Sequence, residues 1–333
     1  MAHASADVAI VGAGIAGLAA AAALAAVGQR VTVLEKSRGL GGRMATRQGA
    51  EGPFDHGPPG VTAADPVFAT LLDAAIAAGH AAPWPEAPAR VLSGPTGPSG
   101  PADTVRGAVG VPGTSSLVRP LAAALPNGAI RLQCEAIALD RRTDGWHIAT
   151  EGAGAVHAGT LILAAPAPQS ARLLAAADLQ QVAAPLATVA YRPMMTAMLA
   201  LDRPMTPPDP LPLPLQKANR QGDLPGRATT PERWVLHADA AWSAAHADDD
   251  KPAIADALIA AFAGRGGTLP GERHRAGHRW RYALVTRPLG APCLWHVDLG
   301  LGLCGDWCLG DAAEHAHRSG RALAAAMTAA MAG

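Results

Sequence analysis

Lysine is scarce in this chain: Lys36, Lys217 and Lys251 are the only three in 333 residues. With arginine they make 27 basic groups against 27 acidic ones, a formal net charge of zero. No broad basic field therefore argues for a nucleic acid or an anionic membrane as partner. Cysteine is limited to Cys134, Cys293, Cys304 and Cys308. Their spacing fits neither a disulfide framework nor a paired zinc motif, and they read as reduced thiols of a cytoplasmic protein. Val8 to Val27 is the one stretch that approaches the ~20 apolar residues of a membrane span. It lacks a basic segment in front, and its glycines fall where a phosphate turn needs them, so neither a signal peptide nor membrane insertion is expected. There is no Gly-x-Ser-x-Gly elbow and no Walker lysine. His56, His237, His296, His315 and His317 are not grouped with cysteines or carboxylates at ligand spacing, so no metal is expected.

What is present begins at the N-terminus. Asp7-Val8-Ala9-Ile10-Val11 reads as a strand and leads into Gly12-Ala13-Gly14-Ile15-Ala16-Gly17. A small-residue helical stretch follows as far as Gly28, and Arg30 to Leu34 reads as a second strand ending on Glu35. Strand, glycine turn, helix, strand and acid form a dinucleotide cradle. Gly12 allows the tight turn, Gly14 admits a pyrophosphate to the backbone, and Gly17 lets the helix lie close to the sheet. The helix N-terminus offers N–H groups and a positive dipole end to the phosphates, and Glu35 sits where a ribose would be received. A length of 333 residues suffices for one large or two interleaved domains with a substantial core.

Lys36 to Met44 contains a second glycine turn, Gly39-Leu40-Gly41-Gly42, followed by Arg43. This is either an ordinary surface loop or, for an extended dinucleotide, a second donor to the pyrophosphate through the guanidinium fork. Glu35 to Arg38, Gly41 to Thr46 and Phe54-Asp55-His56-Gly57 together resemble the opening of bacterial renalase-like flavoproteins, members of the amine-oxidase superfamily. The resemblance implies FAD as cofactor, with Ile15, Ala16, Lys36, Gly42, Arg43 and Met44 among its contacts; no cysteine lies in a tethering context, so non-covalent binding is expected. It also implies that Asp55 to Thr62, including His56, Gly57 and Thr62, lie at the flavin ring.

Further along, Pro66 to Gly79 has helical apolar spacing, and Pro83 to Pro101 reads as an irregular excursion. Gly110 to Leu117 opens a helix running to about Leu125, with Thr114 or Ser115 as N-cap; capped start and substrate contact are both open readings. Short strand patterns follow at Ile130–Cys134, Ala136–Leu139, Trp146–Thr150 and Thr160–Ala164. By the resemblance, the backbone at Ala136 and Ile137 meets adenine. Val189–Leu201 and Trp234–Asp239 read as antiparallel strands, with a proline-crowded, largely irregular Asp202–Glu232 between them. Ala253–Ala263 reads as a short helix. His278 to Ala283 alternates with period two, placing Trp280 and Tyr282 on one face, either as an aromatic wall beside a flavin or as packing against a helix. Leu301–Cys304 reads as a strand followed by Gly305-Asp306 and a helix from Ala312 to Met331. The superfamily places its second FAD contact here, with Asp306 on sugar or ribityl hydroxyls, Gly305 and Glu314 nearby, and a helix N-terminus toward the flavin.

The expected fold is α/β: a Rossmann-type FAD-binding domain with an interleaved α+β substrate domain containing an antiparallel sheet. The expected boundaries are 1–60, 104–165 and 290–333 for the first and 61–103 and 166–289 for the second. The implied activity is FAD-dependent oxidation of a small amine or a dihydronicotinamide dinucleotide, by hydride transfer to flavin N5 with dioxygen as electron acceptor. Two departures from the renalase-like pattern bear on the substrate. Pro58-Pro59-Gly60-Val61 replaces an amide and two aromatics, and His315 replaces a glycine. They keep two alternatives open: an oxidase or desaturase of another small or lipophilic substrate, and a flavin-binding protein without turnover.

Overall fold

The computed structural model describes residues 4–84, 106–152, 154–264 and 267–332; the bulk of the expected excursion, from residue 85 on, lies outside them. In chain order the elements begin with β1 (Ala4–Val11), α1 (Ile15–Ala26), β2 (Val31–Leu34), β3 (Thr46–Gly49), β4 (Gly52–Asp55), β5 (Val61–Ala63) and α2 (Pro66–Ala77). There follow β6 (Ala81–Pro83), β7 (Arg106–Gly110), α3 (Arg119–Ala123), β8 (Ile130–Arg131), β9 (Glu135–Arg142), β10 (Gly145–Glu151) and β11 (Val156–Leu163). The second half carries α4 (Ala167–Ala175), α5 (Gln180–Ala183), β12 (Ala190–Leu201), β13 (Leu215–Arg220), β14 (Glu232–Ala238), α6 (Ala240–Ala245) and α7 (Lys251–Ala263). It ends with β15 (Glu272–Arg287), β16 (Leu294–His296), β17 (Leu301–Leu303) and α8 (Ala313–Ala332).

By contact the chain divides into two compact units. The first comprises Met1–Gly42, Val118–Ala190 and Val285–Gly333, the second Arg43–Leu117 and Tyr191–Leu284. Residues 43–60 and 104–117, expected with the nucleotide domain, group with the second unit. They form the β3–β4 hairpin and β7, whose pairing partners are β5 and β6. Residues 166–190 group with the first unit, and the chain leaves it at Tyr191 rather than at Pro166.

The first unit is built on a sheet of order β16-β17-β11-β1-β2-β8, with β9 and β10 continuing from β11 as an antiparallel meander. β1 pairs in parallel with β11 and β2, and β11 with β17. Val8, Ala9 and Ile10 are almost fully buried, as continuous apolar runs in parallel strands must be. α1 is apolar on all sides and buried from Ile15 through Ala21, a helix that only an interior position accommodates. It packs on α8 where Gly320 lies against the backbone of Ala16, so close that a Cβ there would collide.

The second unit holds a four-stranded sheet of order β13-β14-β12-β15, the β3–β4 hairpin and a three-stranded sheet of order β5-β7-β6. β13 lies inside the segment expected to be irregular. Its pairing with β14 brings Lys217 opposite His237 and Asn219 opposite Val235, an order the surrounding prolines hide. One face of the four-stranded sheet is covered by α7: Met195, Ala197, Leu199, Trp234 and Leu236 pack against Ile254, Leu258, Ile259 and Phe262. On the other face Met198, Ala200 and Val235 pack with Phe54 of β4 and with Ala276. The helix expected from Gly110 onward begins as a 3-10 turn, Thr114–Val118, before α3. Thr114 does not cap it; its hydroxyl donates to the Pro59 carbonyl, and its N–H donates to Asp55 Oδ1.

Candidate functional site

The parallel register sets the position of the glycine turn. Val11 pairs with Leu34 on one side and Leu163 on the other, and Leu163 pairs with Leu303. Gly12, Glu35, Ala164 and Cys304-Gly305 therefore all leave the same carboxyl edge of the sheet, where open α/β sheets bind ligands. Gly12 adopts φ +108° and its N–H donates to the Leu34 carbonyl. A Cβ on Gly17 would collide with the Gly12 carbonyl oxygen, so the third glycine is a packing requirement. Gly14 differs: a Cβ there would meet nothing within 4 Å, and no side chain caps the helix that starts beside it. Open space at an uncapped helix N-terminus suits a pyrophosphate.

Glu35 is buried and oriented by backbone, its Oε2 accepting from Ala13 N–H and its Oε1 from Ser37 N–H, each at 2.8 Å. A carboxylate oxygen has two lone pairs, so each retains capacity for a ribose hydroxyl. The second glycine turn joins the first. The Gly41 N–H donates to the Ala13 carbonyl at 3.0 Å, and a Cβ on Gly42 would lie 3.4 Å from Gly14 Cα. Lys36 is exposed, 3.9 Å from Glu135. Ile137, on β9, is 55% exposed, and just before it the Cys134 N–H donates to the Glu35 carbonyl.

At the far end of the chain, Gly305 N–H donates to Ser319 Oγ, and Asp306 is buried at the start of a 3-10 turn. Trp307 is fully buried and its indole N–H donates to the Ala165 carbonyl, fastening this turn to the end of β11. Cys304 and Cys308 are buried thiols pushed upward by desolvation, Cys308 to about 12. His315 turns back on its own helix: its Nδ1 accepts from Ala312 N–H, and its ring lies against Gly310. Glu314 stands beside it in the first turn of α8.

In the second unit the hairpin ends on a buried polar group. Asp55 bonds Arg227 at 2.5 Å with both side chains almost wholly buried, and it also accepts from Thr46 Oγ1 and Thr114 N–H. This network fixes the segment that carries His56. The Trp280 indole donates to the His56 carbonyl at 2.9 Å. The rings of His56, His278 and Trp280 lie with centroids 4.3–4.9 Å apart. Gly57 is obligatory, since a Cβ would strike the carbonyl of Arg43. Arg43 Nη1 in turn donates to the carbonyls of Tyr282 and Ala283, and Met44 beside it is buried. Trp280 and Tyr282 share the sheet face of Ala276, opposite α7, so of the two readings of this pair the packing against a helix does not hold. Thr62 sits exposed on β5, in the other sheet. Gly60, in the Pro58–Val61 segment, is held close against Trp84 and the Ala108 carbonyl.

Three groups on this face escape a sequence reading. His237 is buried on β14 and hydrogen-bonds Thr196 through Nδ1 at 3.0 Å. His278 is legible only through its period-two relation to Trp280. Lys217 reaches the face through its pairing with His237. Burial holds the imidazoles neutral: His56 falls to about 4, with the charge of Arg47 assisting, and His237 and His278 fall to about 3. Lys217 is lowered too, by desolvation and then by Arg192. Nδ1 of His56 is buried without a hydrogen-bond partner.

Residues 10–75 match the NAD(P)-binding Rossmann-like domain family. A stretch of 51 residues is 53% identical to the 4,4'-diapophytoene desaturase (4,4'-diaponeurosporene-forming) of Staphylococcus haemolyticus. It spans 15% of this chain and only 10% of the desaturase. Solved structures align along nearly the whole chain. An Exiguobacterium protein provisionally named a protoporphyrinogen oxidase is 15% identical with TM-score 0.68, covering 99% of this chain and all of its own. A putrescine oxidase bound to putrescine is 14% identical with TM-score 0.63, and cyclohexylamine oxidase from Brevibacterium oxydans is 17% identical with TM-score 0.62. Each of these two covers 98% of this chain and all of its own. At such identities the likeness establishes the fold: a Rossmann-like dinucleotide-binding domain with an interleaved second domain, in the architecture shared by these oxidases.

Proposed function

We propose that the chain is an FAD-dependent oxidoreductase of the renalase-like type, acting on a dihydronicotinamide dinucleotide rather than on a cationic amine. The observation that carries the cofactor is the joined pair of glycine turns with open space at Gly14. A single turn serves any dinucleotide, whereas the second turn extends the cradle, as FAD would use it. Gly12, Gly14, Ile15, Ala16, Gly17, Glu35 and Gly42 would hold the adenosine and pyrophosphate, with Arg43, Gly305, Asp306 and Glu314 as further contacts. When bound, FAD supplies a two-electron acceptor for a hydride, which dioxygen regenerates with formation of hydrogen peroxide.

The substrate class rests on the basic face of the second unit. Lys217, Arg192 and Arg47 act electrostatically on its histidines and on one another, and among the described residues none of the three is in an ion pair. Asp55, the carboxylate that acts on His56, is committed to Arg227. An ammonium substrate would meet like charge here, whereas phosphates would find cations. His56, His237 and His278 stay neutral at pH 7, so they offer acceptor nitrogens without adding charge. The buried Nδ1 of His56 is one place for a carboxamide or ring N–H, since a buried nitrogen seeks a partner. Oxidation of a dihydropyridine gains aromaticity, and no strong side-chain base is required. The polar lining also disfavours the lipophilic alternative.

The test is anaerobic mixing of the yellow holoprotein with isomeric dihydronicotinamide dinucleotides and with small amines. Rapid flavin bleaching by a dinucleotide and none by amines is expected. Lys217→Met should raise KM for the dinucleotide about tenfold, the worth of one charge-assisted contact, with little effect on kcat. Bleaching by amines alone, or by neither class, overturns the substrate assignment; colourless protein that does not take up FAD overturns the cofactor.

A further inference from the structure

In the β9–β10–β11 meander of the first unit, at the end of β11 remote from Ala164 and the glycine turn, two histidines lie side by side. His147 on β10 and His157 on β11 are directly opposite in the antiparallel register, with ring centroids 4.7 Å apart. Asp144, in the turn between β9 and β10, places its carboxylate between them. Its Oδ1 is 3.0 Å from His147 Nε2, and its Oδ2 is 3.6 Å from His157 Nε2. One ligand atom from each of the three residues lies within 4.8 Å of the others. The turn is shaped for this approach. Gly145 adopts φ +135°, and a Cβ there would lie 3.1 Å from His157 Nε2, so another residue would press on the ring. The rings are mostly covered, 22% and 23% exposed, while Asp144 is 60% exposed.

We propose that Asp144, His147 and His157 form a divalent transition-metal site, with Zn²⁺ the metal that suits the donor set. A tetrahedral ion with bonds of about 2.0–2.1 Å sets its ligand atoms roughly 3.3 Å apart. From the shared oxygen, Asp144 Oδ2, the separations are 3.3 Å to His147 Nε2 and 3.6 Å to His157 Nε2, close to that spacing. Two imidazoles and one carboxylate supply three ligands, and the exposed side of Asp144 leaves the fourth position to water. Nitrogen-rich sites of this kind also take Cu²⁺ and Ni²⁺ in the usual order of affinities, and they reject Mg²⁺ and Ca²⁺, which prefer oxygen.

The hydrogen bond from His147 holds the Asp144 carboxyl below its ordinary value. Across β9 the neighbour of His147 is Asp140, whose carboxylate accepts from Arg142 Nε. Without metal, His157 Nε2 lies 3.0 Å from the Asp144 carbonyl, a contact the ion must displace. Metal uptake requires both Nε2 atoms to be free of protons, since a protonated imidazole nitrogen has no lone pair to give. Bound metal would clip three strands together at the turn.

Titration calorimetry of the full-length holoprotein, treated with chelator and then given Zn²⁺ at pH 7.5, tests this directly. One equivalent should bind, and His147→Ala and His157→Ala should each weaken binding by tenfold or more without changing the visible flavin spectrum. Cu²⁺ in the same protein should give an electron paramagnetic resonance spectrum split by two imidazole nitrogens, falling to one in either variant. Absence of stoichiometric Zn²⁺ binding overturns the site, as does binding that both variants retain. The readout is the metal, so it is independent of whether the chain oxidises dinucleotides.

Discussion

Gly14 and Gly17 stand in one motif, three residues apart, yet they are glycine for different physical reasons. A methyl at position 17 has no room against the Gly12 carbonyl, so Gly17→Ala must push α1 from the turn that precedes it. Overpacking of that kind costs about 1–3 kcal/mol, and chemical denaturation of the variant should show the loss. A methyl at position 14 meets open space, so Gly14→Ala should leave the unfolding free energy nearly unchanged while lowering the flavin retained after gel filtration. If the two variants behave alike in both measurements, Gly14 is not kept for a ligand. Gly57 belongs with Gly17, since it is required by the Arg43 carbonyl beside it. His315 shows the limit of reading a residue by its position in a family motif. The renalase-like pattern has glycine at this position, whereas this side chain serves its own helix by accepting the Ala312 N–H.

At the scale of elements, α7 couples a capped start to a buried face. Asp250 accepts from Ala253 N–H at 2.7 Å, Pro252 occupies the first turn, and Ile254, Leu258, Ile259 and Phe262 cover the sheet. Removing the cap by Asp250→Ala should cost about 1 kcal/mol in a denaturant titration, with the flavin spectrum unaltered because the helix lies outside the glycine cradle. An unchanged midpoint would show that another group takes over the Ala253 N–H. This helix was legible in the sequence, as were β1, α1, β2 and α8, because apolar periodicity and glycine punctuation are local signals. β13 was not. Proline density in the segment from Asp202 to Glu232 argued for irregular chain, and the partner that makes residues 215–220 a strand lies on β14. The same non-local origin conceals the basic face. Lys217 and His237 are 20 residues apart and become neighbours only through strand register. The cradle needed only local spacing; the basic face needed register, which single-sequence patterning does not carry. The Asp144, His147 and His157 cluster escaped for that reason too, since ligand-spacing rules look along a helix or a loop and the pairing of His147 with His157 runs across strands.

For the molecule as a whole, the chain passes between its two units at Gly42, Leu117, Ala190 and Leu284, so neither unit is one continuous segment and folding must bring distant parts together. The second unit contains the three histidines that folding keeps neutral, and this ties global stability to pH. Each has its folded value lowered, to about 4 for His56 and about 3 for His237 and His278, with desolvation the leading cause. In the unfolded chain a histidine takes a proton near pH 6.5. Between pH 6.5 and 4 the unfolded state therefore binds more protons than the folded one, and the unfolding free energy rises with pH. Stability is full above pH 6.5 and is lost as pH falls through 6.5 toward the folded values. From pH 7 to pH 5 the loss is roughly 2 kcal/mol for each histidine that stays neutral. The groups facing these rings do not reverse the sign: Arg47, Lys217, Lys251 and Arg279 oppose protonation, while Asp55 is held by Arg227. Urea denaturation of the holoprotein at pH 7, 6 and 5 with FAD in constant excess should show this decline. His278→Gln, which keeps a polar group at a half-buried position, should make the decline about one third shallower. A wild-type midpoint that holds steady over this interval would mean the histidines are protonated in the folded protein, and the face would then be more positive still.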